Sequence, residues 1–200
     1  MVKFDCSAFK GLKLPAEVEV MSTWKGGVSK PVISVLCITF NQEQYIEDAI
    51  RGFLIQKTDF PFEIIIHDDA SVDSTPCILK KYESLYPNII KLVLQSENQY
   101  SQGRKVAQII ADHAKGDYLA FCEGDDFWIE GKKLQMQYEA LSVSGSEICF
   151  SHAISLYPDG RQKEHACNNY HENLLPLNLA IRLGGSFMPS ASLMIKRNVF

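Results

Sequence analysis

From Pro31 onward, short β-branched or aliphatic runs alternate with segments whose apolar residues recur at helical spacing. Few folds accommodate that order, and a parallel α/β sheet is the foremost of them. The runs Val32–Ile38, Phe62–His67, Ile89–Leu94 and Tyr118–Cys122 begin roughly 28 residues apart, the length of one strand-plus-helix unit rather than of a sequence repeat. After the first run, the pairs Tyr45/Ile46, Ala49/Ile50 and Phe53/Leu54 lay one apolar stripe along a helix. After the second, Pro76 stands in a first helical turn, where its missing N–H costs nothing, and Ile78, Leu79, Tyr82 and Leu85 share a face. The third unit uses Val106, Ile109, Ile110 and His113, with Lys115, Gly116 and Asp117 turning into the fourth run.

Beyond Cys122 the pattern predicts a helix over Lys132–Leu141 and a strand over Glu147–Tyr157 that turns at Pro158, Asp159 and Gly160. Loops with one short helix are expected up to Gly185, then a last strand near Ala191–Ile195. The expected architecture is α/β and Rossmann-like, a mostly parallel central sheet with helices on both faces. Residues 1–30, with mixed charge, Gly26–Gly27 and no sustained period, read as a leader or peripheral element. Residues 31–142 form the regular part and 143–200 a less regular remainder of the same domain.

Composition narrows the function. Hydrophobic residues make up 46% of 200 and charged residues 22%, which excludes a disordered or fibrous chain. A net charge of −4 without a basic block disfavours nucleic-acid binding. No apolar stretch approaches the roughly 18–20 residues of a membrane helix. The first residues lack a secretory h-region, so a cytoplasmic location is expected. Cysteines 6, 37, 77, 122, 149 and 167 form no CxxC pair and read as reduced, mostly buried side chains. Cys149, His152, His165, Cys167 and His171 lack the tight paired spacings of zinc sites, and zinc is not expected there.

In an open parallel sheet, ligands bind outside the carboxyl ends of the strands. There the first strand ends in Thr39-Phe40-Asn41, the second in Asp68-Asp69 and the fourth in Glu123-Gly124-Asp125-Asp126. So many carboxylates in one place repel unless a cation offsets them. Mg²⁺ or Mn²⁺ is the simplest offset, taking one or two protein carboxylates and filling its other positions with phosphate oxygens and water. No GxGxxG or GxxxxGK[ST] is present to cradle phosphates, so metal bridging takes that role. Alternation along an extended segment puts Glu123 and Asp125 on one side and Asp126 on the other. Asp126 is assigned to the metal and Asp125 to sugar or ribose hydroxyls, while Gly124 lets a ligand approach the backbone. Plainer roles compete: Ser71, Asp73 and Ser74 as helix caps, Asp68 as a turn residue, His67 as a hydrogen-bonded strand residue, and Trp128 as packing beneath the acidic loop.

The stretches ISVLCITFNQEQYIEDAI, FEIIIHDDASVDST and KGDYLAFCEGDDFW, in this order and spacing over about residues 31–142, resemble glycosyltransferase family 2, inverting enzymes of the GT-A fold. GGSFMPSASLMIKRNVF also resembles that family's acceptor-side strand. The resemblance implies a nucleotide-diphosphate sugar donor, a UDP-sugar being favoured, and transfer to an acceptor hydroxyl in surface polysaccharide or glycoconjugate synthesis. It places Thr39, Phe40 and Glu43 in the nucleotide pocket, Phe40 standing where many members stack a Tyr on the base. Asp69 would accept a hydrogen bond from the base, and Arg104 would reach the diphosphate. Glu123-Gly124-Asp125-Asp126 matches the DxD-type metal motif with Glu123 in place of the first Asp, giving Asp126 and Glu123 as metal ligands. The Asn often found in the family's following helix is absent from this sequence.

The implied chemistry is a single displacement at the anomeric carbon, with a carboxylate taking the acceptor's proton and metal charge on the leaving diphosphate. In relatives that base lies roughly 90 residues after the metal motif, at about residue 216 here and so beyond Phe200. Asp159, Glu164 and Glu172 read as loop residues rather than as the base. The expectation is therefore a chain truncated on its C-terminal side that binds donor but transfers sugar poorly. A lipid-linked saccharide acceptor would bring peripheral contact with the inner face of the membrane. Two other classes are a non-catalytic nucleotide-sugar binding fragment and a nucleotidyltransferase. The latter calls for a glycine-rich basic loop where this chain has the acidic TFNQEQYIED.

Overall fold

The computed structural model describes residues 4–25, 27, 30–165, 182 and 187–200. Cys167, His171 and Glu172, and most of the stretch expected to hold a short helix, lie outside the described residues.

Four parallel strands carry the domain: β1 (Ile33–Thr39), β2 (Phe62–Asp68), β3 (Ile90–Leu94) and β4 (Tyr118–Phe121). β2 is buried at every position because layers cover both of its faces, and its centre, Ile64, Ile65 and Ile66, is accordingly aliphatic while the buried Glu63, His67 and Asp68 near its ends are hydrogen-bonded. The helices between them are α3 (Ile46–Leu54), α4 (Thr75–Leu85) and α5 (Val106–Ala111), followed by α6 (Lys133–Ser144). Pro76 opens α4 as expected, but Leu85 at its end is 57% exposed rather than on the buried face. His113, expected on the apolar face of the third unit, is also exposed and follows the end of α5.

The strand order is β3-β2-β1-β4-β8-β5, where β8 (Met194–Lys196) runs antiparallel to both β4 and β5 (Ile148–Cys149). The chain runs outward from β1 through β2 to β3, then returns to the other flank of β1 with β4. The strand order therefore reverses at β1/β4, the place above which open α/β sheets bind their ligands in a crevice. One core, containing Phe53, Ile64, Leu79 and Leu134, lies on the α3/α4/α6 face. A smaller one, built on Ile65, Ile110 and Leu119, lies under α5. The α/β class, the mostly parallel sheet and the helices on both faces are thus as the sequence predicts.

The expected strand over Glu147–Tyr157 is two strands. β5 joins the main sheet, whereas β6 (Ala153–Leu156) pairs with β7 (Gln162–His165) in a separate hairpin. Gly160, at φ 79, turns that hairpin in the left-handed conformation that glycine adopts without strain. Residues 1–30 contain α1 (Cys6–Lys10) and α2 (Glu17–Met21). Phe9, Val20 and Trp24 are buried, and the Trp24 ring meets Phe62 edge-on at 5.6 Å. Among the described residues no helix is long and apolar enough to cross a membrane.

Candidate functional site

The carboxyl end of β1 is the hinge of the site. Its last two carbonyls reach sideways in opposite directions: Ile38 O accepts from Gly124 N at 2.9 Å and Thr39 O from Asp69 N at 3.0 Å. The acidic ends of β2 and β4 are thereby fixed on the two flanks of one strand end, as the alternating sequence requires. Gly124 has to be glycine for this approach. A Cβ there would collide with the Gln42 side chain and lie 2.8 Å from both Cβ and Oγ1 of Thr39.

Three oxygens around this point are buried with no hydrogen-bond partner among the described residues: Thr39 Oγ1, Gln42 Oε1 and Glu123 Oε2. Buried polar atoms are almost always paired, so the orphan Thr39 Oγ1 and Gln42 Oε1, which both face Gly124, and the orphan Glu123 Oε2 on the neighbouring residue are places where a donor or a cation fits. Asp125 and Asp126 stand beside them at the surface, and no Lys or Arg among the described residues pairs with either or with Glu123. Partial burial, then the charges of Glu123 and Asp125, push the Asp126 carboxyl up to about 6. Burial and the same acids push the thiol of Cys37, in β1 beneath them, well up and keep it protonated.

This donor set suits Mg²⁺ or Mn²⁺: hard oxygens, net negative, partly unsatisfied. Among the described residues it does not form a ready-made cage of three metal-ligating side chains. It could hold only a cation that keeps most of its positions for water and substrate oxygens, and Asp126 and Glu123 are the carboxylates available to it.

The other expected site residues distribute unevenly. Phe40 projects with 46% exposure at the mouth of the crevice, and Thr39 is buried beneath it. Glu43 Oε2 accepts from Ser74 N at 2.8 Å and Glu43 N donates to Asp73 Oδ2 at 3.0 Å, so Glu43 laces the β1–α3 loop to the start of α4. Asn41 and Ser71 add a second lacing: Ser71 Oγ accepts from Asn41 N, and Asn41 Oδ1 from Val72 N, each at 2.8 Å. Asp73 also accepts from Thr75 N, the capping role allowed for it above.

Asp69, expected to accept a hydrogen bond from a base, already accepts two from the backbone. It is 2% exposed, and its two oxygens accept from the backbone N–H groups of Gln99 at 2.7 Å and Tyr100 at 3.0 Å. Its immediate work is to hold the β3–α5 loop against the crevice. Asp68 is likewise taken up by Ser71, through Oγ and N, which helps hold Ala70 at φ 65. Asp69→Asn sets an amide N–H against a backbone N–H, and is expected to cost about 1–3 kcal/mol in urea unfolding. An unchanged midpoint contradicts this role. Arg104 is exposed in the same loop, tied through its backbone N to Gln99 O, and makes no ion pair with a described acid. His67 is buried, with burial holding its imidazole below the usual value, and Nε2 lies 3.2 Å from Gln95 Nε2.

Two contacts around the acidic loop carry no readable sequence signal, the covering of it by α1 and the Trp128 hydrogen bond to Ala191. Phe127, next to Asp126, stacks on Phe9 at 4.7 Å between ring centroids, so α1 covers the acidic loop from the side. Trp128 packs under the loop as expected, and its Nε1 also donates to Ala191 O at 2.7 Å.

The model for Glycosyl transferase family 2 matches residues 34–200. Rv1520, an uncharacterized protein of Mycobacterium tuberculosis, is 39% identical over 129 residues, which are 64% of this chain and 37% of that protein. The putative teichuronic acid biosynthesis glycosyltransferase TuaG of Bacillus subtilis is 31% identical over 140 residues, 70% of this chain and 52% of TuaG. Staphylococcus aureus TarS 1–349 in complex with UDP superposes with a TM-score of 0.63 at 22% identity, over 84% of this chain and 47% of that one. The same TarS fragment in complex with UDP-GlcNAc gives a TM-score of 0.50 at 28% identity, over 58% and 32%. The fold is therefore GT-A-like, and the chain spans about half or less of the length of these relatives. With its sheet, its crevice and 34–200 all accounted for by one pattern, this chain belongs to glycosyl transferase family 2.

Proposed function

We propose that the crevice binds a nucleotide-diphosphate sugar, a UDP-sugar foremost, and that the protein transfers the sugar to an acceptor hydroxyl in polysaccharide or glycoconjugate synthesis. The observation that carries this reading is the pair of unpartnered oxygens, Thr39 Oγ1 and Gln42 Oε1, facing Gly124 where the ends of β1 and β4 meet, with the unpartnered Glu123 Oε2 on the next residue. Family membership and the polysaccharide role in TuaG's description support the chemistry, and the UDP-GlcNAc complex of TarS supports the donor class.

In this reading Phe40 offers an exposed ring to the base, with Thr39 and Glu43 shaping the wall around it. Asp69 borders the base subsite by fixing Gln99 and Tyr100. Asp125 accepts from ribose or sugar hydroxyls, and Arg104 leans its cation toward the diphosphate. Asp126 and Glu123 would hold Mn²⁺ or Mg²⁺, which when bound neutralises charge on the departing diphosphate. Gly124 leaves room for the ligand against the backbone, and Trp128 supports the loop from below.

A thermal-shift panel of UDP, GDP and their sugars, each with and without Mn²⁺, tests the assignment. UDP ligands at about a hundredfold excess over Kd are expected to raise Tm by about 5 °C or more when Mn²⁺ is present. No shift from any nucleotide, or the same shift without metal, overturns it.

A further inference from the structure

We infer that Lys133 is a positioning residue for sugar transfer: its ammonium orients Trp128 and Gln137, and through them pins the 190–192 turn to the acidic loop. This role in transfer rests on the donor site proposed above.

Lys133 stands at the start of α6 and is 7% exposed. Its Nζ donates to Gln137 Oε1 at 2.6 Å and sits 4.2 Å from the centroid of the Trp128 ring. Each of these two side chains then spends an N–H on the same short turn. Trp128 Nε1 donates to Ala191 O at 2.7 Å, and Gln137 Nε2 donates to Ser192 O at 2.8 Å. One cation thus fixes the donors to two consecutive carbonyls. The turn leads directly into β8, which lies between β4 and β5, and Trp128 lies two residues past Asp126. Phe53 also meets the indole edge-on at 5.0 Å, which further limits the ring's freedom.

The charge is expensive where it is. No carboxylate among the described residues pairs with Lys133. Its titratable neighbours are the thiols of Cys122 from the end of β4 and Cys149 from β5, both driven upward by burial and hence uncharged. The same burial draws the ammonium itself down to about 8. A buried cation without a counter-charge lowers stability, and an apolar residue of similar volume would pack there without that cost. What the charge contributes is directional: a charge-assisted hydrogen bond on one side and a cation–π contact on the other. Together these align the acidic loop with the strand that follows the turn.

Lys133→Met separates this role from simple packing. The variant is expected to melt at or above the parent temperature while amides 123–128 and 190–194 exchange about tenfold faster, a local loosening without global loss. Its affinity for UDP with Mn²⁺ is expected to fall about tenfold. Unchanged exchange in those two segments overturns the inference. So does a lower Tm with faster exchange throughout the chain, which marks packing alone. Gln137→Met, which keeps the ammonium and removes one bridge, must loosen 190–194; protection there equal to the parent's also overturns it. A parent chain that binds no UDP with Mn²⁺ defeats the donor-site reading, while the exchange measurements still decide the role of Lys133.

Discussion

Asp126→Asn is expected to melt higher than the parent in metal-free buffer at pH 7 and to gain nothing from UDP with Mn²⁺. The two effects share one cause. Partial burial and the neighbouring acids raise the folded-state carboxyl from 3.8 to about 6, so the folded chain holds this proton more tightly than the unfolded chain does. An ionised Asp126 therefore works against folding, fully above pH 6, progressively less as pH falls through 6, and not at all below 3.8. Asn removes that penalty. Solvent reaches the group and screens it, so the gain is small, about 1 kcal/mol or about 2–4 °C. The variant and parent curves should converge at pH 3.5. The loss of ligand response is the larger effect: the stabilisation by UDP with Mn²⁺ expected of the parent should disappear altogether. A variant that melts lower than the parent at pH 7, or that still responds to UDP with Mn²⁺, contradicts the role given to Asp126.

The largest loss of stability is expected from Gly52→Ala. In an exposed helix this change adds up to about 1 kcal/mol of helix propensity. Here the new Cβ would lie 2.6 Å from Trp128 N, 2.7 Å from Trp128 O and 3.2 Å from its Cα, all backbone atoms that cannot swing aside. Either α3 or the segment after Asp126 has to move, and both are packed, with the Phe53 ring against the Trp128 indole. Such overpacking is expected to cost about 3 kcal/mol, lowering Tm by about 6–12 °C and weakening UDP binding as the acidic loop shifts. Gly11→Ala is the control: Gly11 has φ −79, its Cβ would meet nothing closer than 3.4 Å, and its melting should stay near the parent's. A Gly52→Ala variant as stable as this control contradicts the close packing of α3 on the loop.

The regular half of the chain was legible because its physics is local. The aliphatic centre of β2, Ile64, Ile65 and Ile66, reflects a strand covered on both faces, and the acids at its carboxyl end lie at a predictable edge of the sheet. Elsewhere the deciding contacts are distant in sequence. Nothing in Glu147–Tyr157 shows that Ile148 and Cys149 pair with β8 while Ala153–Leu156 turns back on β7. The five-residue helices α1 and α2 are too short to show a period, and only the fold reveals Phe9 on Phe127 or Trp24 on Phe62. Asp69 stands at the end of β2 as the sequence indicates, but its partners Gln99 and Tyr100 lie 30 and 31 residues onward, where the sequence offers no cue. Lys133 reads as an ordinary helix-surface lysine, and its burial becomes visible only once β5 and the 190–192 turn close over it.

Acids from separate strands sharing one cation, and that cation gripping a diphosphate, is the claim on which the other assignments depend. Calorimetric titration of UDP into the chain, in Mn²⁺ and again in EDTA, measures it directly. The affinity is predicted to be at least about tenfold tighter with Mn²⁺. Equal affinity in the two buffers would contradict it.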